Sequence, residues 1–122
     1  MGNAMDKNYF DINYGVSDNK ANRVIDISFR NAGMKKICLG AGNWPTEKGI
    51  IDNDGKEIYV SVGDDRYFLK DESDYCPKCE TIVAKDSTIK ARFTYDQFSL
   101  PPSTWDKDKV LHMRAVGSYC NR

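Results

Sequence analysis

Apolar and polar positions alternate along most of this chain, with little of the spacing that marks an amphipathic helix. Phe10, Ile12, Tyr14 and Val16 interleave with Asp11, Asn13 and Gly15, and Ile25, Ile27 and Phe29 interleave with Asp26, Ser28 and Arg30. Each run sets its apolar side chains on one face of an extended strand. The polar segment Ser17-Asp18-Asn19-Lys20 predicts the turn between them, and Asn31-Ala32-Gly33 ends the second run. A third strand is expected from Lys35 to Ala41.

Further on, Ile58, Val60 and Val62 alternate with Tyr59 and Ser61 after Asp52-Asn53-Asp54-Gly55, whose Asp-Gly pair predicts a hairpin turn. Tyr67 to Leu69 reads as a short return strand after Gly63-Asp64-Asp65, and Glu80 to Ala84 as another strand. Ile89, Ala91, Phe93 and Tyr95 form the clearest late pattern, and Leu111, Met113 and Ala115 form the last. Between these two, Phe98-Ser99-Leu100-Pro101-Pro102 predicts an extended crossing, because paired prolines fix φ and remove backbone donors; a single helical turn is expected within Ser103 to Lys107. Seven or eight short strands joined by turn chemistry predict an all-β fold, a two-sheet antiparallel β-sandwich.

The stretch Val24 to Gly33, followed by Ile37-Cys38-Leu39, resembles the second and third strands of immunoglobulin-like sandwiches. The resemblance implies that architecture alone. Trp44 comes too soon after Cys38, and Tyr119 directly precedes Cys120, so the sulfur–tryptophan packing and tyrosine corner of true immunoglobulin domains are not matched.

The 122 residues suit one domain with one core, assigned to 6–122, and Met1 to Met5 reads as an expression-tag remnant. Asp6 stands where a myristoylation signal needs Ser or Thr. Lys and Arg number 18 against 18 Asp and Glu, leaving no cationic excess to neutralise phosphates, so nucleic acid is not an expected partner. No apolar run approaches the roughly 20 residues of a membrane-spanning helix.

Cys38, Cys76, Cys79 and Cys120 allow three pairings. Cys76-Pro77-Lys78-Cys79 can close on itself, which leaves Cys38 for Cys120. Two structural disulfides in an oxidising compartment are the expectation, secreted or periplasmic. A four-cysteine zinc site is the sharper alternative, with one knuckle matched and the second unpaired. A redox role is a third, but strand-like residues follow Cys79 where a helix N-terminus would lower the thiol pKa.

His112 is the only histidine, so any triad or zinc-hydrolase chemistry must run through it; it falls on a strand, outside any hydrolase motif. Asp52 to Gly55 lacks the first ligand of a calcium loop, since Ile50 stands there. Asp71, Glu72 and Asp74, near Asp64 and Asp65, read as solvated turn carboxylates rather than a glycosidase pair. Gly40-Ala41-Gly42 is too short for a phosphate cradle.

What remains predicts a non-catalytic protein-binding module without a cofactor or metal. In size and style the chain is similar to small bacterial periplasmic inhibitor and immunity proteins, and that resemblance implies a protein partner, a toxin or a cell-wall hydrolase. The candidate contacts are the loop tryptophans Trp44 and Trp105 and the acidic loops Asp64-Asp65-Arg66 and Asp71 to Asp74. A structural or adhesive subunit, self-associating into a homodimer through a sheet edge, is the remaining alternative.

Overall fold

The computed structural model describes residues 8–40, 42–53, 55–70 and 80–120. Within them lie ten strands and two short 3-10 turns, without an α-helix. The strands are β1 (Tyr9–Asp11), β2 (Gly15–Asn19), β3 (Val24–Arg30), β4 (Ile37–Leu39), β5 (Tyr59–Val62), β6 (Asp65–Phe68), β7 (Thr81–Val83), β8 (Thr88–Thr94), β9 (Val110–His112) and β10 (Val116–Tyr119). They form three antiparallel sheets, ordered β1-β10-β4-β7, β2-β3-β8 and β6-β5-β9.

The long alternating runs behave as their pattern demands. Across β3 and β8, Ile25 pairs with Phe93 and Ile27 with Ala91 on the buried side, while Asp26 pairs with Arg92 on the other. The Arg92 Nε to Asp26 Oδ1 contact is 2.6 Å and solvent-exposed, so it adds little to stability. Burial of the apolar rows stabilises the pair of strands more, at about 25 cal/mol per Å2.

The first run divides. Tyr9–Asp11 pairs with β10, Gly15–Asn19 pairs with β3, and between them the Ile12 N–H donates to the Ala115 carbonyl, 2.9 Å away. One extended segment thus serves two of the three sheets, where alternation predicts a single strand. β2 also runs on through Asn19, and the turn falls at residues 20–23, where Arg23 has φ 56°.

β10 lies inside its sheet, between β1 and β4. A Cβ on Gly117 would stand 2.8 Å from Leu39 Cδ2, so only glycine lets these strands pack as they do. One disulfide, Cys38–Cys120, joins β4 to the residue after β10, with the Cα atoms 5.3 Å apart. Cys76 and Cys79 lie outside the described residues.

All three sheets feed one apolar cluster: Leu39 and Val83 from the first, Ile25 and Phe93 from the second, Val60 and Val62 from the third. Phe98 closes it from the turn Tyr95–Phe98, which is capped reciprocally by Thr94 and Gln97, and packs edge-on to Phe93 with ring centroids 5.4 Å apart. Two buried asparagines act as internal staples. Asn31 Nδ2 donates to the Lys35 and Val83 carbonyls, and Asn53 Nδ2 donates to those of Ile58 and Leu69. Asn53 therefore holds this part of the chain from within, and the Lys56 N–H donates to its carbonyl.

Candidate functional site

Strands β5, β6 and β9 present an outer face built by register. Val60 and Val62 point into the core, so Tyr59 and Ser61 point outward. Tyr59 pairs with Phe68 on one side and His112 on the other, and Ser61 pairs with Arg66 and Val110. The outcome is two rows across three strands: Phe68–Tyr59–His112, and beside it Arg66–Ser61–Val110.

The first row is an aromatic ladder. Tyr59 stacks on His112 with centroids 4.3 Å apart and 12° between planes, and meets Phe68 at 5.4 Å. The Arg66 guanidinium lies 5.2 Å from the Tyr59 ring centroid, a cation–π contact that holds the charge over the row. Phe68 is 41% and Val110 56% exposed, apolar area left in water on a rigid sheet. An open hollow of about 570 Å3 adjoins it, walled by Tyr59, His112 and Met113 and rimmed by Glu57 and the Asp11–Arg114 ion pair.

His112 Nε2 stands 3.0 Å from Ser61 Oγ, the spacing of a nucleophile and its base. Such a pair also needs a group that orients the ring and amides that receive an oxyanion. Here the ring is oriented by stacking on Tyr59, and β5 is the central strand, so its amides serve the ladders to β6 and β9. The contact fixes His112 within the face and leaves a polar surface group beside two aromatic rings.

The β5–β6 hairpin carries this face to a charged tip. Gly63 has φ 59°, the left-handed value that a two-residue hairpin wants at its first central position, and a side chain there would meet nothing. Asp64 and Asp65 are exposed at the tip, and neither forms an ion pair among the described residues. Of the predicted residues, Arg66 stands beside the aromatic row, while Asp64 lies in the turn and Asp65 pairs with the inward-facing Val62. Asp71 and Asp74 lie outside the described residues.

The two tryptophans sit elsewhere. Trp44 is only 8% exposed, belongs to the core cluster and meets Tyr14 edge-on at 6.0 Å. The Tyr14 hydroxyl donates to the Met113 carbonyl, and burial pushes its pKa upward. Trp105 donates from Nε1 to the Leu100 carbonyl at 3.0 Å and lies under the Arg23 guanidinium, 3.9 Å from the ring centroid. Beneath it Lys109 is almost fully buried and satisfied by Asp18 at 3.1 Å and by the Trp105 and Lys107 carbonyls. Both tryptophans hold loops onto the core, and the aromatic side chains that turn outward together are those of Tyr59, Phe68 and His112. The outward position of Tyr59 opposite Val60 was the available signal.

Cys38 and Cys120 are consumed in the disulfide, which removes two of the four thiolates a zinc site would need. No cluster of three or more His, Cys, Asp or Glu side chains converges among the described residues, and no helix there is long and apolar enough to cross a membrane. Comparison with protein-family models, curated proteins and solved structures finds no match.

Proposed function

We propose that this chain is a non-catalytic protein-binding module of an oxidising compartment, secreted or periplasmic, whose β6-β5-β9 face engages a partner protein. The observation that carries the reading is the outward-facing Phe68–Tyr59–His112 row, with Phe68 exposed and Arg66 laid across Tyr59. Tyrosine and arginine are the residues that concentrate binding energy at protein interfaces, because they bury large areas with few rotamers and present hydrogen-bonding ends. The neighbouring Asp64 and Asp65 add charge where an encounter with a cationic partner would be steered. A two-layer, immunoglobulin-like packing of the sheets and the inhibitory role toward a toxin or cell-wall hydrolase belong to the same reading. The disulfide supports the compartment.

The test uses toxins and hydrolases encoded by neighbouring genes as candidate partners, with binding measured by calorimetry. Phe68→Ala and Arg66→Glu are expected to weaken binding at least ten-fold at unchanged thermal stability. Charge reversal at Asp64 and Asp65 is expected to slow association more than it speeds dissociation. Affinity that survives all of these substitutions would remove the face from the interface.

A further inference from the structure

Strand β8 is hydrogen-bonded to β3 on one side and ends its sheet on the other. In an antiparallel ladder the N–H and C=O of one residue point the same way, and the direction alternates along the strand. Three bonds assign the directions. Asn31 N–H donates to the Ser87 carbonyl and Tyr95 N–H donates to the Arg23 carbonyl, both on the β3 side. Thr94 N–H instead donates to the Gln97 side chain, away from β3. Odd-numbered residues of this stretch therefore serve β3, and Thr88, Lys90 and Arg92 turn both backbone groups to the free edge.

No backbone or side-chain group among the described residues bonds to those free groups. Gly49 approaches the Arg92 carbonyl so closely that a Cβ there would lie 2.4 Å away, which closes the edge at that end. From Thr88 to Lys90 the edge is open among the described residues. Alongside it runs a hollow of about 710 Å3, walled by Trp44 and Pro45, with Thr81 of β7, Ile89 and Ala91 also lining it. A neighbouring strand lies about 4.8 Å from the one it pairs with, so an added strand would occupy this hollow.

The charges select the occupant. Lys90 is exposed and forms no ion pair among the described residues, while Arg92 is held by Asp26. Two copies paired antiparallel over Thr88 to Lys90 would set each Lys90 against a Thr88 and leave its charge unmatched. An acidic side chain on the outward face of an incoming strand would meet Lys90 favourably. Its inward side chains would face Ile89 and Trp44, which take apolar residues.

We propose that the open edge of β8 accepts an extended peptide segment of a partner, alternating apolar and acidic residues, which adds to the β2-β3-β8 sheet as a fourth strand. This surface is separate from the β6-β5-β9 face.

The probe is a capped hexapeptide alternating valine and glutamate, followed by amide hydrogen exchange in NMR spectra of the whole chain. In the free protein the Lys90 amide is expected to exchange quickly while those of Ala91 and Phe93 are protected. With the peptide at millimolar concentration, exchange at Lys90 should slow at least ten-fold. N-methylation of one alternate set of peptide residues should abolish the effect, and N-methylation of the other set should leave it intact. A valine–lysine peptide should bind about two- to five-fold more weakly, a preference that Lys90→Glu reverses. Phe68→Ala should leave all of this unchanged, which separates failure here from failure of the face on β5. Protection of Lys90 without peptide, equal binding of both N-methylated peptides, or no response to any peptide would overturn the proposal. Protection that rises with protein concentration alone would assign the edge to a second copy and overturn it as well.

Discussion

Replacing Cys38 and Cys120 together by alanine removes a covalent tie between positions separated by 82 residues. The stabilisation expected from such a tie lies mainly in the unfolded chain, whose ends it holds together. The chain-entropy relation gives about 4.5 kcal/mol at 25 °C for a loop of this length. With an unfolding entropy of about 2.1 cal/mol/K per residue, that loss corresponds to a fall in Tm of roughly 15–20 °C. Domains of this size hold only about 5–15 kcal/mol in total, so the variant should fold but stand close to the threshold. The assay is equilibrium urea unfolding followed by fluorescence, since Trp44 and Trp105 both report on packed surroundings. Two readouts separate the mechanisms. A lost cross-link lets the unfolded state expand, so the midpoint should drop and the m-value should rise. Loss of sulfur packing alone would lower the stability by less than about 1.5 kcal/mol and leave m unchanged, and that result would refute the argument.

Gly49→Ala combines a φ of 79° with a Cβ 2.4 Å from a backbone oxygen, and should destabilise by about 3 kcal/mol or more; a Tm within roughly 2 °C of the parent would contradict the geometry. Lys109→Met takes the cation from the Asp18 carboxylate and leaves it only the Tyr95 hydroxyl, and thermal unfolding should show a loss of about 3 kcal/mol, partly recovered when Asp18→Asn is added. The Tyr95 hydroxyl is held neutral by burial and by donation to Asp18, both of which raise its pKa above the ordinary 10. Its contribution is complete below about pH 10, where the unfolded phenol is still protonated, and is lost as pH rises beyond that. Stability measured from pH 9 to 11 should therefore fall less steeply in Tyr95→Phe, and identical slopes would exclude the effect.

Elements with a clean period of two were legible because one face must be buried. β5 lies within the run its alternation predicts, and β3 and β8 each begin one residue before theirs. The early run from Phe10 to Val16 also alternates, yet no local signal marks the break at residues 12–14, because it is decided by β10 and β3 competing for the same segment. β10 was not legible at all. Val116-Gly117-Ser118-Tyr119 has neither apolar alternation nor strong strand propensity, and Gly117 is there for close packing against Leu39. Asn31 and Asn53 look like turn formers in sequence, and their work as buried staples depends on carbonyls far along the chain. The aromatic row escaped for a similar reason: Tyr59, Phe68 and His112 come from three strands, and only register brings them side by side.

The place of β10 has a consequence for how the chain reaches this state. It follows every other described strand in order of synthesis, yet it fills the middle of its sheet, between partners made long before. While the chain is still emerging from a ribosome, β1 and β4 have no neighbour to join them, and Cys38 waits for a thiol not yet made. Completion of this sheet therefore waits for the last of the described strands and is slowed by long-range closure.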